Sequence, residues 1–134
     1  MGIAENLGMF CMGGAAYVTL ELLWRGWSHG SMFLAGGLCL ILVGQLNEAR
    51  PKLPWPLRIL AGALIITMVE LAFGLLFNRQ YRVWDYRGQR GNFCGQICLG
   101  YSLLWLPVSA AALGLNKALR HCIRGCKDRN GKRD

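Results

Sequence analysis

Two glutamates stand in stretches of the chain that otherwise carry no charge. Glu70 is the only charged residue between Arg58 and Arg79, and Glu21 lies close to the end of the first apolar stretch. Placing a charged side chain in the middle of a bilayer costs about 2.5–3.5 kcal/mol on insertion scales. We therefore expect Glu70 to face other helices, to be protonated or to pair with a cation. A carboxylate in that position can bind a cation, a proton or a polar ligand.

A structural interpretation of the two acids is also open. Either carboxylate can pair with Arg25 or Arg79 and so fix the register of neighbouring helices. Carboxylates within a membrane are mostly functional, whereas carboxylates at its surface often only anchor the end of a helix. The sequence therefore favours a functional role for Glu70 and a structural role for Glu21.

Further polar and aromatic residues accompany these acids. Trp84 and Tyr86 are also typical of the aromatic belt at a membrane surface, and Asp85, which lies between Arg82 and Arg87, can order the surrounding loop. The predicted ligand-binding residues are Glu21, Arg25, Glu70, Asn78, Trp84, Asp85, Tyr86, Asn92, Gln96 and Ser102.

The cysteines and histidines do not form a recognisable reactive motif. Cys94 and Cys98 are four residues apart, as are Cys122 and Cys126, and neither pair has the spacing of a redox CxxC motif or a zinc ribbon. His121 beside Cys122 gives at most three local ligands, which is too few for a closed zinc site. We therefore expect buried cysteines to behave as small apolar residues, and we predict no enzymatic activity, no metal site and no cofactor.

The elements that position the polar residues follow from the hydropathy of the chain. Hydrophobic residues make up 54% of the sequence and charged residues 16%, whereas a soluble domain has about 25% charged residues. A membrane-spanning helix needs about 20 mainly apolar residues, and four stretches qualify, at about 6–24, 30–46, 57–77 and 93–115. We predict an all-α integral membrane bundle of four transmembrane helices with short loops, which occupies residues 1–116 and precedes a basic tail at residues 117–134.

The distribution of basic residues predicts the orientation. Arg50, Lys52, Arg58 and seven bases of the tail lie on one side of the predicted spans, whereas Arg25 and the four arginines between residues 79 and 90 lie on the other. Because basic residues are enriched in cytoplasmic segments, both termini are predicted to be cytoplasmic. The acids and most amides then lie in the outer half of the bilayer, while the inner halves of the helices are almost wholly apolar.

The basic tail has an amphipathic pattern. Lys117, Arg120, Arg124 and Lys127 fall on one face of a helix, as expected of a helix that lies on anionic lipid headgroups. We therefore expect the net charge of +8 to favour contact with membrane lipids rather than with nucleic acid. In the second span, Gly30, Gly37 and Gly44 recur every seven residues and form a seam that permits close approach of another helix.

Two stretches of the sequence resemble a known family. They are VELAFGLLFNRQYRVWDYRGQRGNFCGQICLGYSLLW, from Val69 to Trp105, and ELLWRGWSHGSMFLAGGLC, from Glu21 to Cys39. Both resemble the bacterial CmpB-like family of ABC-transporter type IV membrane proteins, and the Trp84-Asp85-Tyr86 run is among the most specific parts of the match. The matching positions are Glu21, Arg25, Gly26, Glu70, Asn78, Trp84, Asp85, Tyr86, Asn92, Gly95, Gln96, Ser102 and Trp105.

This resemblance implies a multi-pass protein of the bacterial cytoplasmic membrane and a permease component, whose ATPase partner would be a separate protein. Together with the residues above, it predicts a transport-related protein that binds a small polar or cationic ligand in an outward-facing polar pocket near Glu70. The alternative is a membrane scaffold or accessory protein that does not transport and binds lipid or partner helices through the glycine seam. In either case four helices enclose little space, so a homo-oligomer or a partner subunit is expected.

Overall fold

The computed structural model describes residues 2–133, and within that range the chain forms four long helices and one short hairpin. The helices are α1 (Ile3–Arg25), α2 (Gly30–Glu48), α3 (Trp55–Phe77) and α4 (Leu99–Asn130), and the hairpin pairs β1 (Asn92–Phe93) with β2 (Ile97–Cys98). All four helices are long and apolar enough to cross a membrane. The predicted all-α bundle is thereby confirmed. Met1 and Asp134, the outermost residues of the two predicted regions, lie outside the described residues.

Local sequence explains several of the helix ends. Gly26 follows α1 in a left-handed conformation, with φ of 76°, and its N–H bonds to the carbonyl of Leu22. Pro54 precedes α3 and Pro56 occupies its first turn, where the missing N–H of proline costs nothing. The prolines therefore separate α2 from α3.

The fourth helix differs from its predicted span at both ends. It begins at Leu99 instead of residue 93, because residues 92–98 form the hairpin, with positive φ at Cys94 and Gly95. It continues through Pro107 and on to Asn130, so the predicted tail is largely an extension of this helix. At 1.5 Å per residue its 32 residues span about 48 Å, more than the roughly 30 Å of a hydrocarbon core.

The helices alternate in direction, and α2 lies at the centre of the bundle. It packs against α1, α3 and α4, whereas α1 and α4 contact each other little. Val43, Ile66 and Leu113 form a buried cluster where α2, α3 and α4 meet. The Lys127 Nζ lies 2.7 Å from the Glu5 Oε1, which shows that the start of α1 and the end of α4 lie on the same side.

Glycines allow α1 and α2 to pack backbone against backbone. A Cβ added to Gly13 would lie 2.7 Å from the carbonyl oxygen of Gly36, and one added to Gly37 would lie 2.6 Å from that of Phe10. Gly44 lies against the side chain of Asn116 on α4. Gly37 and Gly44, two of the three glycines of the predicted seam, therefore pack against other helices inside the bundle. They are not available as a surface for a partner helix.

We predict that Gly13→Ala destabilises the bundle by about 1–3 kcal/mol, because the new methyl group meets backbone atoms that cannot rotate away. Gly8→Ala, in the same helix but with nothing within 4 Å of the added Cβ, is the matched control and should be neutral or slightly stabilising. Thermal unfolding of the two purified variants in detergent measures the difference. Equal midpoints would contradict the close approach of α1 and α2.

Candidate ligand-binding site

Asn78 ties the segment between α3 and α4 to the end of the bundle. Its side chain is 1% exposed. The Nδ2 donates to the carbonyl of Trp84 at 2.6 Å, and the Oδ1 accepts from the N–H of Val83 at 2.8 Å. One amide side chain thus replaces the backbone partners that this non-helical segment lacks.

Gln96 completes this attachment from the other end of the segment. Its side chain is 2% exposed, its Nε2 donates to the carbonyl of Asn78 at 3.1 Å, and its Oε1 accepts from the Asn78 Nδ2 at 3.0 Å. The Nε1 of Trp84 donates to the carbonyl of Gln96 at 2.8 Å. Asn78 and Gln96 therefore hold the segment in place, and neither lines the cavity that borders Glu70.

Glu21 is paired within its own helix. Its carboxylate forms an ion pair with the Nε of Arg25, one turn later, and the Arg25 Nη1 donates to the carbonyl of Val83 at 2.6 Å. The same guanidinium lies over the ring of Trp27, at 4.1 Å from its centroid. This is the kind of ion pair that the structural interpretation of Glu21 describes, although Glu21 also borders the cavity.

Glu70 has different partners. Its Oε1 accepts from the hydroxyl of Tyr86 at 3.1 Å and its Oε2 accepts from the Nε1 of Trp105 at 2.9 Å. Within residues 2–133 its carboxylate forms no ion pair, and the Nε of Arg79 instead donates to the carbonyl of Leu75. Glu70 therefore does not make the arginine pair of the structural interpretation and is held by two neutral donors.

Tyr86 is the donor that the loop contributes to Glu70. Burial raises the pKa of the Tyr86 hydroxyl above its ordinary value of 10, and the nearby negative charge of Glu70 is the second cause of this increase. The hydroxyl therefore stays protonated at neutral pH and remains a donor to the carboxylate. Its ring stacks on Tyr101, with centroids 4.8 Å apart, which fixes its direction.

A cavity of about 260 Å³ lies next to Glu70. Its polar end is formed by acids, an arginine and aromatic rings, and the rest of its wall is aliphatic. The polar end comprises Tyr17, Glu21, Arg25, Glu70, Trp84, Tyr86 and Trp105. All four helices contribute to the wall, and the rings of Tyr17 on α1 and Trp105 on α4 lie 6.2 Å apart at its polar end.

The predicted site residues thus fall into two groups. Glu21, Arg25, Glu70, Trp84 and Tyr86 meet at the cavity. The structure does not bring the other five to its wall: Asn78 and Gln96 attach the loop, Asn92 accepts from the N–H of Gly95 in the hairpin, Asp85 is exposed, and Ser102 is half-buried elsewhere on α4.

Two aromatic residues of the cavity were missing from the predicted set. Tyr17 lies one turn before Glu21 on α1, and Trp105 lies on α4 in direct contact with Glu70. Helical spacing from Glu21 indicates Tyr17, but the contact between Trp105 and Glu70 joins residues 35 positions apart. Periodicity along one helix cannot reveal a contact between two helices.

A second polar cluster at the opposite end of the bundle was not predicted at all. Asn116 is 1% exposed, and its Oδ1 accepts from the Nε of Arg120 at 2.9 Å. The Nδ2 of Asn47 donates to the carbonyl of Leu113 at 3.0 Å, and the Nη1 of Arg58 donates to the Oδ1 of Asn47 at 3.3 Å. Asn47, Asn116 and Arg120 lie outside the four predicted spans, whereas Arg58 and Leu113 lie near the ends of two of them.

The predicted headgroup-binding residues also take part in contacts within the chain. Arg120 and Arg124 lie 3.3 and 3.6 Å from Glu48, and Lys127 pairs with Glu5. Lys117 is exposed. Contact of these residues with lipid headgroups remains a prediction.

The part of the chain that the structure describes contains no group of three or more acidic, histidine or cysteine side chains able to hold a metal ion. All six cysteines are unpaired. The candidate site consists of the carboxylates of Glu21 and Glu70, the guanidinium of Arg25 and aromatic rings.

Four apolar helices of membrane-spanning length define a multi-pass membrane protein. Residues 9–128 match the family described as "Putative ABC-transporter type IV". Since the match covers most of the sequence, the chain belongs to this CmpB family, and the resemblance is confirmed. No curated protein and no solved structure matches the chain.

We predict that Asn78→Ala releases the segment between α3 and α4. The change leaves the N–H of Val83, the carbonyl of Trp84 and the amide of Gln96 short of a partner, and each such buried group costs about 1–3 kcal/mol. Trypsin, which cuts after the exposed Arg79, Arg82, Arg87 and Arg90, should then cleave the folded protein faster. Asn92→Ala is the control, since water can replace its exposed bonds. An Asn78→Ala variant as resistant as the parent would contradict this role.

We predict that Asp85 titrates far below an ordinary aspartate. Hydrogen bonds from the Arg87 side chain, at 2.9 and 2.8 Å, and from its backbone N–H lower the pKa of Asp85 from 3.8 to about 2. Because the folded-state pKa is depressed, this contact stabilises the loop above pH 3.8 and is lost as the pH falls through about 2. Carboxyl carbon shifts in an NMR titration measure the midpoint, which Arg87→Gln should raise towards 3.8. An unchanged midpoint in that variant would refute the assignment.

Proposed function

We propose that this protein binds a cation that carries apolar groups, with Glu70 as its counter-ion, and that it does so within a transport-related membrane complex. The observation that carries this proposal is the setting of Glu70. The carboxylate borders a cavity and is held by Tyr86 and Trp105, which are neutral donors. A carboxylate in an apolar medium lowers its free energy when a cation approaches, and the cavity provides space for one.

The aromatic residues at the polar end support a cationic ligand. Tyr17, Trp84, Tyr86 and Trp105 border the cavity together with Glu70, and the rings of Tyr17 and Trp105 have centroids 6.2 Å apart. The face of an aromatic ring attracts a cation, with a contribution of about 0.5–2 kcal/mol. Aromatic rings beside a carboxylate are suited to an organic ammonium or phosphonium ion, which has little water to lose.

The aliphatic wall supports apolar substituents on that ion. Ala35, Leu40, Ile66 and Val108 are among the aliphatic residues that line the cavity. A wholly polar ligand would leave this surface poorly covered. The proposed ligand is therefore more apolar than the small polar or cationic ligand that the sequence predicts.

The sparse backbone contact between α1 and α4 supports entry from the membrane. Apolar side chains on α1, such as Leu20 and Leu23, are strongly exposed and suit contact with lipid tails. We place the protein in the bacterial cytoplasmic membrane with both termini in the cytoplasm, so that Glu70 lies in the outer half. Membership of the CmpB family supports a permease component that works with a separate ATPase or with further copies of itself.

The test uses tetraphenylphosphonium, a cation with four apolar rings, and the purified full-length protein in detergent. Because Trp84 and Trp105 border the cavity, binding should change the tryptophan fluorescence. Glu70→Gln removes the negative charge but keeps an acceptor for one donor, and we predict that it weakens binding by at least about tenfold, equivalent to about 1.4 kcal/mol.

Asp85→Asn is the matched control because it removes a carboxylate that lies outside the cavity, and its affinity should match the parent. Binding that survives Glu70→Gln unchanged would refute the proposed counter-ion. Uptake or efflux of the cation by reconstituted vesicles then separates transport from an accessory role. Binding without movement would favour the accessory protein.

A further inference from the structure

A second pocket lies at the end of the bundle opposite Glu70. It has a volume of about 610 Å³ and is formed by the end of α2, the connection that follows it, the first turn of α3 and the part of α4 between residues 114 and 124. It shares no lining residue with the Glu70 cavity. Any ligand of this pocket is therefore separate from the proposed cationic ligand.

The charge of this pocket is strongly positive. Lys52, Arg58, Lys117, Arg120 and Arg124 line it, and Glu48 is its only carboxylate. Like charges that lie this close repel one another, and one acid cannot compensate five bases. A bound anion would relieve this repulsion.

Two of the guanidinium groups are held in place by uncharged partners. The Arg58 Nε donates to the carbonyl of Leu53 at 2.9 Å, its Nη1 donates to the Oδ1 of Asn47, and its guanidinium lies 5.4 Å from the ring centroid of Trp55. The Arg120 Nε donates to the Oδ1 of Asn116, and the Arg120 side chain is only 16% exposed. These bonds leave other N–H groups of each guanidinium free to bind an anion, because arginine has five donors.

Glu48 already shows where an oxygen anion sits in this pocket. Its Oε1 lies 3.3 Å from the Nη1 of Arg120 and 3.6 Å from the Nη2 of Arg124, and its side chain is half exposed. The carboxylate therefore occupies a position between two guanidinium groups that are one turn apart on α4. A half-exposed side chain can swing away when a stronger anion arrives.

The geometry points to a binding site for a phosphate group in this pocket, formed by Arg58, Arg120 and Arg124 with Lys52 and Lys117 at its margin. Guanidinium groups match the geometry of phosphate oxygens, and lysines add positive charge without a fixed direction. The phosphate can belong to an anionic lipid headgroup or to a soluble phosphate compound, since both present the same oxygens. Basic pockets between helices are a known way to hold lipid headgroups.

The experiment uses the full-length protein in neutral-lipid nanodiscs and two probes. One arm adds phosphatidic acid to the nanodisc and measures retained lipid by native mass spectrometry, with phosphatidylcholine as the reference. The other arm titrates inorganic phosphate and follows binding by phosphorus NMR. Binding in the lipid arm alone assigns the site to a headgroup, and binding in the phosphate arm assigns it to a soluble phosphate group. Binding of neither probe would overturn the proposal.

Variants distinguish this pocket from diffuse attraction to the basic tail. Lys52 makes no hydrogen bond or ion pair within residues 2–133 and lies in a loop, so Lys52→Gln should leave thermal unfolding unchanged while it weakens binding of the probe about threefold to tenfold. Arg129→Gln removes a base from the same end of α4 but outside the pocket, and its affinity should stay within twofold of the parent. Equal losses in the two variants would refute a defined site.

Glu48→Gln gives a result of the opposite sign. Removing the carboxylate that competes for Arg120 and Arg124 should strengthen binding of the phosphate probe about threefold or more. This outcome does not depend on loss of stability, because unfolding can only weaken binding. Weaker binding by a folded Glu48→Gln variant would count against the proposed position of the phosphate.

Discussion

A non-helical segment at the end of a membrane bundle carries backbone N–H and C=O groups that lipid cannot satisfy. The segment between α3 and α4 meets this constraint through Asn78 and Gln96, whose buried amides bond to the backbone at Val83, at Trp84 and at Asn78 itself. With the segment held in this position, the carbonyl of Val83 accepts a hydrogen bond from Arg25 and the hydroxyl of Tyr86 donates one to Glu70. The arrangement of the cavity's polar end therefore depends on two amides that do not themselves border the cavity.

The two ends of the bundle have opposite chemistry for a common physical reason. Polar groups must find partners inside the chain wherever water is scarce, and each end does so with a different residue set. Acids and aromatic rings meet around Glu70, whereas arginines and asparagines meet around Asn116. The length of α4 makes this possible, because it passes from the first cluster to the second and extends beyond the hydrocarbon thickness.

Close packing of α1 and α2 shapes the cavity. Gly13 and Gly36 allow these two helices to approach closely. Because α1 packs mainly against α2, its backbone makes little contact with that of α4. Both glycines line the cavity beside Glu70. Gly37 of the predicted seam likewise packs inside the bundle, against the backbone of Phe10 on α1.

The sequence by itself determined the class of protein, the number of helices and the family, because hydropathy and sequence motifs are properties of short stretches of chain. It also predicted ten ligand-binding residues, of which the structure brings Glu21, Arg25, Glu70, Trp84 and Tyr86 to the cavity. Only the tertiary structure decided the partners. Glu70 faces Trp105 instead of an arginine, Asn78 and Gln96 support a loop, and Arg58 meets Asn47 in a pocket that predicted headgroup-binding residues of α4 also line. These contacts depend on the relative rotation and depth of helices, which packing determines and which no periodicity within one segment records.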